Sequence, residues 1–225
     1  MKLMLDTANI VQIQTGISRY PICGITSNPS ILKKEGNTDF FAHLKKIRKL
    51  IGPDRELHVQ VVAADVNGIV ADAERIVSEL GRNTSIKIPV SKAGIEAIRI
   101  LSTKGYLVTA TAVYTTMQGL LAVLAGARYI AVYCNRMENQ NIDPAEVIGA
   151  VAQQIETGRY KSEILCASFK NIRQVVEAYE SGAQGCTVSF DLLETALEFP
   201  SILKAVSDFN ADWKDIHGEK TVSEL

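Results

Sequence analysis

The feature that most constrains the fold of this chain is a repeated alternation between short apolar runs and segments with helical periodicity. Eight apolar runs, each four to seven residues long and bounded by turn residues, predict β-strands. They cover residues 3–6, 22–26, 57–62, 85–89, 107–113, 129–133, 163–168 and 185–189. Because strands that alternate with helical segments form parallel sheets, the pattern indicates an α/β protein.

Each apolar run is followed by a segment that predicts a helix. These segments cover residues 9–15, 38–51, 66–80, 92–104, 115–125, 144–157, 172–181 and 192–197. Ser91 and Asp143 are N-cap candidates, and five glycines stand just past predicted helix ends, at Gly81, Gly105, Gly126, Gly158 and Gly182. Eight strand–helix units in about 200 residues predict one (β/α)₈ TIM barrel domain over residues 1–225. A doubly wound open sheet is the alternative, although no G-x-G-x-x-G follows the first strand.

One further helix is predicted in the C-terminal segment, residues 200–225. Its apolar residues Ile202, Val206, Phe209 and Trp213 lie on one helical face. Such a stripe needs a surface that buries it. That surface is either the chain's own barrel or a neighbouring subunit, and both possibilities stay open.

The composition of the chain excludes several classes of function. The 24 Lys and Arg residues are scattered and balanced by 25 Asp and Glu, so we expect no nucleic-acid partner. The N-terminus turns polar too soon for a signal peptide, and no run reaches the ~18 apolar residues of a membrane span, so we expect a cytoplasmic protein. The four cysteines have no C-x-x-C spacing and the histidines number three, so we expect no metal site and no cofactor.

Polar side chains end nearly every predicted strand. In a TIM barrel the carboxyl ends of all strands meet at one face, where the active site lies. The residues delivered there are Asp6, Thr26, Asn28, Gln60, Lys87, Thr111, Tyr133, Asn135, Arg136, Ser168, Ser189 and Asp191. We therefore expect a site built from several different strands.

Lys87 is unusual because it stands inside the strand SIKIP rather than on a solvated helix. Strand side chains alternate, so if Ile86 and Ile88 face the helices, Lys87 points into the barrel. Burial lowers the pKa of a lysine and provides the free amine that attacks a carbonyl. The alternative is a structural lysine that is paired with a carboxylate or reaches the barrel mouth.

The other strand-end residues each allow two interpretations. Asp6 is either an acid/base or the cap of the next helix. Gln60, Thr111 and Tyr133 either hold a catalytic water or form ordinary hydrogen bonds inside the barrel. A third set, which binds a phosphate or lies in solvent, comprises Asn28, Arg136, Ser168 and, past the strand, Lys170.

The strand ends together resemble the transaldolase family, and most closely its fructose-6-phosphate aldolase branch. The strings that carry the resemblance are LDTAN (5–9), GITSNPSI (24–31), IKIPVS (86–91), TAVYTTMQGLLAVLAGARYIAVYCNR (111–136) and ASFKNIRQ (167–174). The resemblance implies that Lys87 forms an imine with the substrate and that Asp6 is the acid/base. It implies a catalytic water beside Gln60, Thr111 and Tyr133, and substrate-binding roles for Thr26, Asn28, Asn135, Arg136 and Ser168.

The resemblance also implies an activity and an assembly. Transaldolases of this family carry Glu and Phe where this chain has Gln60 and Tyr133, which is the pair of the aldolase branch. We therefore expect a class I aldolase that cleaves fructose 6-phosphate, or a related ketose, into dihydroxyacetone and an aldehyde. A transaldolase is the first alternative and a non-catalytic sugar-phosphate-binding barrel the second. The family precedent implies homo-oligomers, pentamers or decamers, in which the C-terminal helix packs on a neighbour.

Overall fold

A computed structural model describes all 225 residues, and its centre is a closed barrel of eight parallel strands. Each strand pairs with the next one in sequence, and the last pairs with the first, which confirms the TIM barrel and excludes the open sheet. The strands are β1 Lys2–Asp6, β2 Gly24–Thr26, β3 Glu56–Gln60, β4 Thr84–Pro89, β5 Val108–Val113, β6 Tyr129–Val132, β7 Glu163–Cys166 and β8 Gly185–Val188.

Helices follow every strand. They are α1 Ile10–Arg19, α2 Pro29–Leu32, α3 Phe40–Ile51, α4 Val66–Leu80, α5 Lys92–Thr103, α6 Thr116–Leu124, α7 Cys134–Glu138, α8 Pro144–Thr157, α9 Ile172–Glu180, α10 Phe190–Thr195 and α11 Pro200–His217, with short 3₁₀ turns at Lys33–Glu35 and Val222–Glu224. The strand predictions are confirmed to within two residues at each end. The short helices α2 and α7 were not predicted, because a single turn shows no helical periodicity.

Helix α1 begins and ends later than its predicted range, 9–15. Asn9 is its N-cap rather than a helical residue, since the Asn9 side chain accepts hydrogen bonds from the backbone N–H groups of Val11 and Gln12. The helix continues through Gly16, where a Cβ would lie 2.3 Å from Leu5 Cδ1. The low helix propensity of glycine is therefore outweighed by the close approach that Gly16 allows between α1 and β1.

The predicted glycine positions are confirmed at all five helices, since each glycine stands just past a helix end. Gly81, Gly105, Gly126 and Gly182 adopt positive φ angles of 79–106°, which suit a residue without a side chain. Gly158 follows the end of α8 with a φ of −81°, and the positive φ falls on Arg159 instead. The ring of Tyr160 explains the glycine, since a Cβ at residue 158 would lie 2.2 Å from Tyr160 Cε2.

The core lies on both sides of the barrel wall. On the outer face of β4, Ile86 and Ile88 are fully buried where this strand packs against α4 and α5. Inside the barrel, the lower layer includes Met4, Tyr129 and Leu165. All four cysteines are free; Cys134, Cys166 and Cys186 are buried and Cys23 is half-buried, as expected for small core residues. None of the helices combines the length and the apolar character that crossing a bilayer requires.

The chain divides into two compact units, Met1–Phe190 and Asp191–Leu225. The second unit contains α11, so the predicted C-terminal helix is confirmed. Trp213, at the end of the apolar stripe, donates a hydrogen bond from Nε1 to the carbonyl of Lys220. Whether residues 1–225 act as one domain, and which surface covers the stripe in an oligomer, stay predictions.

Candidate active site

The carboxyl ends of the strands bring the predicted catalytic residues to one mouth of the barrel. Asp6 ends β1 and is level with Thr26 of β2, while Gln60 of β3 is level with Lys87 of β4. Thr111 lies one step higher, level with Pro89. The remaining predicted residues follow later strands, Tyr133, Asn135 and Arg136 after β6 and Ser168 after β7.

Lys87 is buried inside the barrel, with 3 % of its surface exposed. Burial lowers the pKa of its amine; Asp6 opposes this shift and Arg136 reinforces it. None of the ion pairs of the chain includes Lys87. The amine is therefore not held by a carboxylate for stability, and a buried lysine without a salt-bridge partner is suited to lose its proton and attack a carbonyl.

Asp6 faces the site and does not cap the following helix, which Asn9 caps instead. Its Oδ1 accepts a hydrogen bond of 2.6 Å from the Thr26 hydroxyl. The Thr26 oxygen also lies 2.7 Å from the hydroxyl of Thr187 on β8. Since Thr26 has one proton, which it donates to Asp6, Thr187 donates to Thr26. The two threonines orient the carboxylate, and its second oxygen is free to accept a proton from a bound molecule.

Thr111 and Tyr133 form a second polar pair at the mouth. Their hydroxyl oxygens are 2.9 Å apart, and both side chains are buried. Burial raises the pKa of Tyr133, and the hydrogen bond between Tyr133 and Thr111 opposes that rise. A bulge in β5 includes Thr111, with a register shift between Ala110 and Val113 and with Ala112 at φ 57°. A protonated phenol beside a second hydroxyl can hold and polarise a water molecule.

Arg136 lies on α7, exposed at the rim of the mouth. Its guanidinium carbon is 4.8 Å from the centre of the Tyr133 ring. A hydrogen bond with Tyr114 is the main reason that the pKa of Arg136 is raised. Tyr114 in turn packs edge-on against Tyr133, with ring centres 5.8 Å apart. The guanidinium is thus oriented by two tyrosines while its other donors stay available for an anion.

Three other predicted substrate-binding residues also have structural roles. The Asn28 side-chain oxygen caps α2 by accepting from the N–H of Ile31, which leaves the amide nitrogen available. Ser168 adopts φ 63°, and its carbonyl accepts from the N–H of Asn135. The structure therefore brings Asn135 and Ser168 together, while the side chain of Asn28 is half committed to the backbone.

The loops after β1, β3, β5 and β7 are each held by a helix side chain that the sequence did not single out. Gln118 accepts from the N–H groups of Tyr114 and Thr115, and Asp72 accepts from those of Val62 and Ala63. In the loop after β1, the Thr7 hydroxyl donates to Gln12. In the loop after β7, Gln174 accepts from the N–H of Lys170 and donates to Asn135. These loops carry the polar residues of the mouth, so the helices fix the site from outside.

Among the ionisable residues, no group of three or more His, Cys, Asp or Glu side chains is arranged to hold a metal ion. Thr187 and Tyr114 are the site residues that sequence reasoning missed. Strand alternation gave a signal for Thr187, because Cys186 and Val188 pack outward on either side of it. Tyr114 gave no such signal, since it follows the end of β5.

Comparison with known proteins agrees with this arrangement. The sequence profile of the family described as Transaldolase/Fructose-6-phosphate aldolase matches residues 3–222. The chain belongs to the transaldolase/fructose-6-phosphate aldolase family. A relative in this family is the probable fructose-6-phosphate aldolase of Streptococcus pneumoniae (strain ATCC 700669 / Spain 23F-1), which is 46% identical over 222 residues, 99% of this chain and 100% of that protein.

A solved structure supports the fold alone. The crystal structure of a putative deoxyribose-phosphate aldolase from Coccidioides immitis superposes with a TM-score of 0.59 at 11% identity, over 86% of this chain and 84% of that one. Membership of the transaldolase/fructose-6-phosphate aldolase family makes this chain an enzyme of the aldolase or transaldolase kind.

Proposed function

We propose that this member of the family is a class I aldolase that reversibly cleaves fructose 6-phosphate, or a related ketose, into dihydroxyacetone and glyceraldehyde 3-phosphate. The observation that supports this most is Lys87, a buried lysine without an ion-pair partner that lies in the same mouth as the Asp6 carboxylate. A protein that only binds sugar phosphates gains nothing from a buried amine whose pKa is lowered.

The reaction begins at Lys87. Its free amine attacks the C2 carbonyl carbon of the ketose and forms a carbinolamine. Protonation of the C2 hydroxyl then releases water and leaves an iminium, which draws electrons from the neighbouring C3–C4 bond. The lowered pKa of Lys87 favours the first step because it raises the fraction of free amine near neutral pH.

Asp6 accepts the proton that bond cleavage releases. In the proposed step its free carboxylate oxygen takes the proton of the C4 hydroxyl, the C3–C4 bond breaks, and its electron pair moves to the iminium to form an enamine. The aldehyde leaves. The hydrogen bond from Thr26 keeps the other carboxylate oxygen in place, so that the free oxygen faces the substrate.

The enamine is then protonated at C3 by a water held between Gln60, Thr111 and Tyr133, and this water is reprotonated by the proton that Asp6 took up. Hydrolysis of the resulting iminium releases dihydroxyacetone and restores the Lys87 amine. The hydroxyl pair of Thr111 and Tyr133 supports this role, because it provides a buried donor and acceptor at the mouth of the barrel. Arg136, whose guanidinium is oriented by Tyr114 and Tyr133, binds the phosphate of the aldehyde half. The polar contacts along the sugar are made by Thr26, Asn28, Asn135 and Ser168.

Borohydride reduction in the presence of dihydroxyacetone tests the imine step. We expect one stable adduct, located on Lys87 by peptide mass mapping. The adduct should disappear in Lys87→Met and persist in Lys170→Met, whose lysine is exposed. An unmodified Lys87 would contradict the mechanism and leave a sugar-phosphate-binding barrel as the explanation of the site.

A second experiment separates the aldolase from a transaldolase. Dihydroxyacetone and glyceraldehyde 3-phosphate are supplied without any ketose donor, and fructose 6-phosphate is measured. An aldolase makes product from these two substrates, since free dihydroxyacetone enters the imine directly. Product that forms at a useful rate only after a ketose donor is added would identify a transaldolase instead.

A further inference from the structure

The lower half of the barrel interior contains a continuous chain of polar side chains that the proposed mechanism does not use. Lys2 Nζ donates to the Tyr129 hydroxyl at 2.8 Å, and this hydroxyl donates to Glu56 Oε1 at 2.6 Å. Glu56 Oε2 is 3.2 Å from His58 Nε2, and His58 Nδ1 is 2.9 Å from Thr109 Oγ1. The chain ends at Ser85, whose hydroxyl is 2.7 Å from that of Thr109.

The donors along this chain can be assigned from its charged end. Burial alone would raise the pKa of Glu56, but hydrogen bonds from His58 and Tyr129 bring it down to about 2, so the carboxylate only accepts. Burial lowers the pKa of His58, which is therefore neutral, with its proton on Nε2. Its Nδ1 then accepts from Thr109, and Thr109 accepts from Ser85. Every proton in the chain points towards Glu56.

This direction matters for Lys87 because Thr109 is its Cα partner across β4 and β5. The negative end of the half formed by His58, Thr109 and Ser85 lies on β4 and β5 below Lys87, where it stabilises a positive charge on the lysine. Lys87 and His58 interact electrostatically, since Lys87 contributes to the lowered pKa of the imidazole.

Other charged groups face the two ends of this arrangement. From above, Lys87 faces Asp6 on β1 and Arg136 on α7, with Tyr133 beside them. At the lower end, Lys2 bridges Glu56 and Glu163. The hydrogen-bonded chain therefore acts on Lys87 from the lower side of the barrel, in addition to the charged groups at the mouth.

We propose that Glu56 and His58 are positioning residues for Lys87: the carboxylate fixes the imidazole tautomer, and the resulting direction of the hydrogen bonds sets the charge state of the amine. Because the chemistry of Lys87 is itself the proposed function, the kinetic consequence rests on that proposal. The effect on the proton affinity of the Lys87 amine does not depend on the proposed function, since it can be measured without turnover.

Glu56→Gln is the informative substitution because an amide can donate as well as accept. Tyr129 still donates to the amide oxygen, so the amide nitrogen turns to His58 Nε2 and donates to it. The imidazole proton then moves to Nδ1. Thr109 accepts a hydrogen bond from this N–H and donates its own proton to Ser85, so the direction of the hydrogen bonds reverses. Positive ends now face Lys87 and lower the pKa of its amine. Glu163→Gln is the matched control, since Glu163 also contacts Lys2 in the lower half of the barrel interior but makes no contact with His58.

The experiment measures the rate at which trace acetic anhydride acetylates Lys87, relative to exposed Lys46, from about pH 6 to about pH 11. We expect Glu56→Gln to move the midpoint of Lys87 down by about half a pH unit, which is roughly threefold more free amine at a fixed pH below it. Thr109→Val, which removes the hydroxyl that links His58 to Ser85 and is the strand partner of the lysine, should shift it in the same direction. In an active enzyme, the acid limb of the pH profile of kcat/KM should shift together with the midpoint of Lys87.

Equal shifts in Glu56→Gln and Glu163→Gln would overturn the inference, because they would show a simple loss of negative charge. Unchanged midpoints in Glu56→Gln and Thr109→Val would overturn it as well. If Glu56→Gln does not fold, Thr109→Val against Glu163→Gln decides. Failure of the proposed function is distinguishable, since it would abolish borohydride trapping in the wild-type protein while leaving these midpoints measurable.

Discussion

The hydroxyl oxygens of Thr111 and Tyr133 lie 2.9 Å apart, on residues that come from neighbouring strands and are both buried at the mouth of the barrel. The bulge at Ala112 directly follows Thr111 near the end of β5. Tyr133 and Lys87 both interact electrostatically with Asp6 and Arg136. The hydroxyl pair of Thr111 and Tyr133 is therefore the part of the site where a single oxygen atom can be removed without changing the packing.

Tyr133→Phe removes that oxygen and keeps the ring against Tyr114 and under Arg136. We expect the aldol cleavage rate to fall about a hundredfold, as for loss of an acid–base group, with a smaller loss of transaldolase activity. Initial rates of both reactions measure this, with Tyr160→Phe, at an exposed tyrosine, as the control. Equal losses in the two activities would remove Tyr133 from the proposed role.

Lys87→Met should abolish turnover and raise the thermal stability of the fold. Burial holds the pKa of Lys87 below its ordinary value of 10.5, so a buried ammonium destabilises the folded state at neutral pH. This destabilisation is fully present below the folded pKa and vanishes as the pH rises to the unfolded value. The Tm gain of the variant, measured by calorimetry, should therefore shrink towards about pH 10.5. A Tm gain that does not change with pH would contradict the buried charge, and Lys46→Met provides the exposed control.

Thr26→Val removes the hydrogen bond to Asp6 and leaves the side-chain shape unchanged. A hydrogen bond to a charged group contributes about 1.5–3 kcal/mol, so we expect kcat to fall about tenfold or more while KM changes little. Thr187→Val is the matched variant, because it keeps the bond between Thr26 and Asp6. Its kcat should fall less; a larger fall than in Thr26→Val would assign the main role to Thr187.

Gly94→Ala should destabilise the strand that carries Lys87. A Cβ at Gly94 would lie 1.9 Å from the carbonyl oxygen of Pro89, so α5 or the end of β4 must move. We expect the free energy of unfolding to fall by about 3 kcal/mol, measured by urea titration. Gly149→Ala in α8 is the control, since its Cβ would meet no atom closer than 3.8 Å, and helix propensity favours alanine there by about 1 kcal/mol.

The fold was predictable because strand alternation and helix periodicity act locally, and so were the polar strand ends, because topology alone brings them together. Whether Asp6 caps the next helix was not predictable, since only the start of α1 at Ile10, with Asn9 as its N-cap, decides it. The chain through Glu56 and His58 was hidden for another reason. Its members come from five strands, and each forms an ordinary hydrogen bond when it is taken alone.

Closure of the barrel through β1 and β8 has a consequence for how the protein is made. Residues 2–5 pair with residues 185–188, so the first strand has no partner on one edge until almost the whole chain has left the ribosome. Until then, β1 exposes unpaired backbone groups that a second nascent chain could bind. Folding yield should therefore depend on how quickly synthesis reaches β8, and slow translation of the last third of the message should increase aggregation.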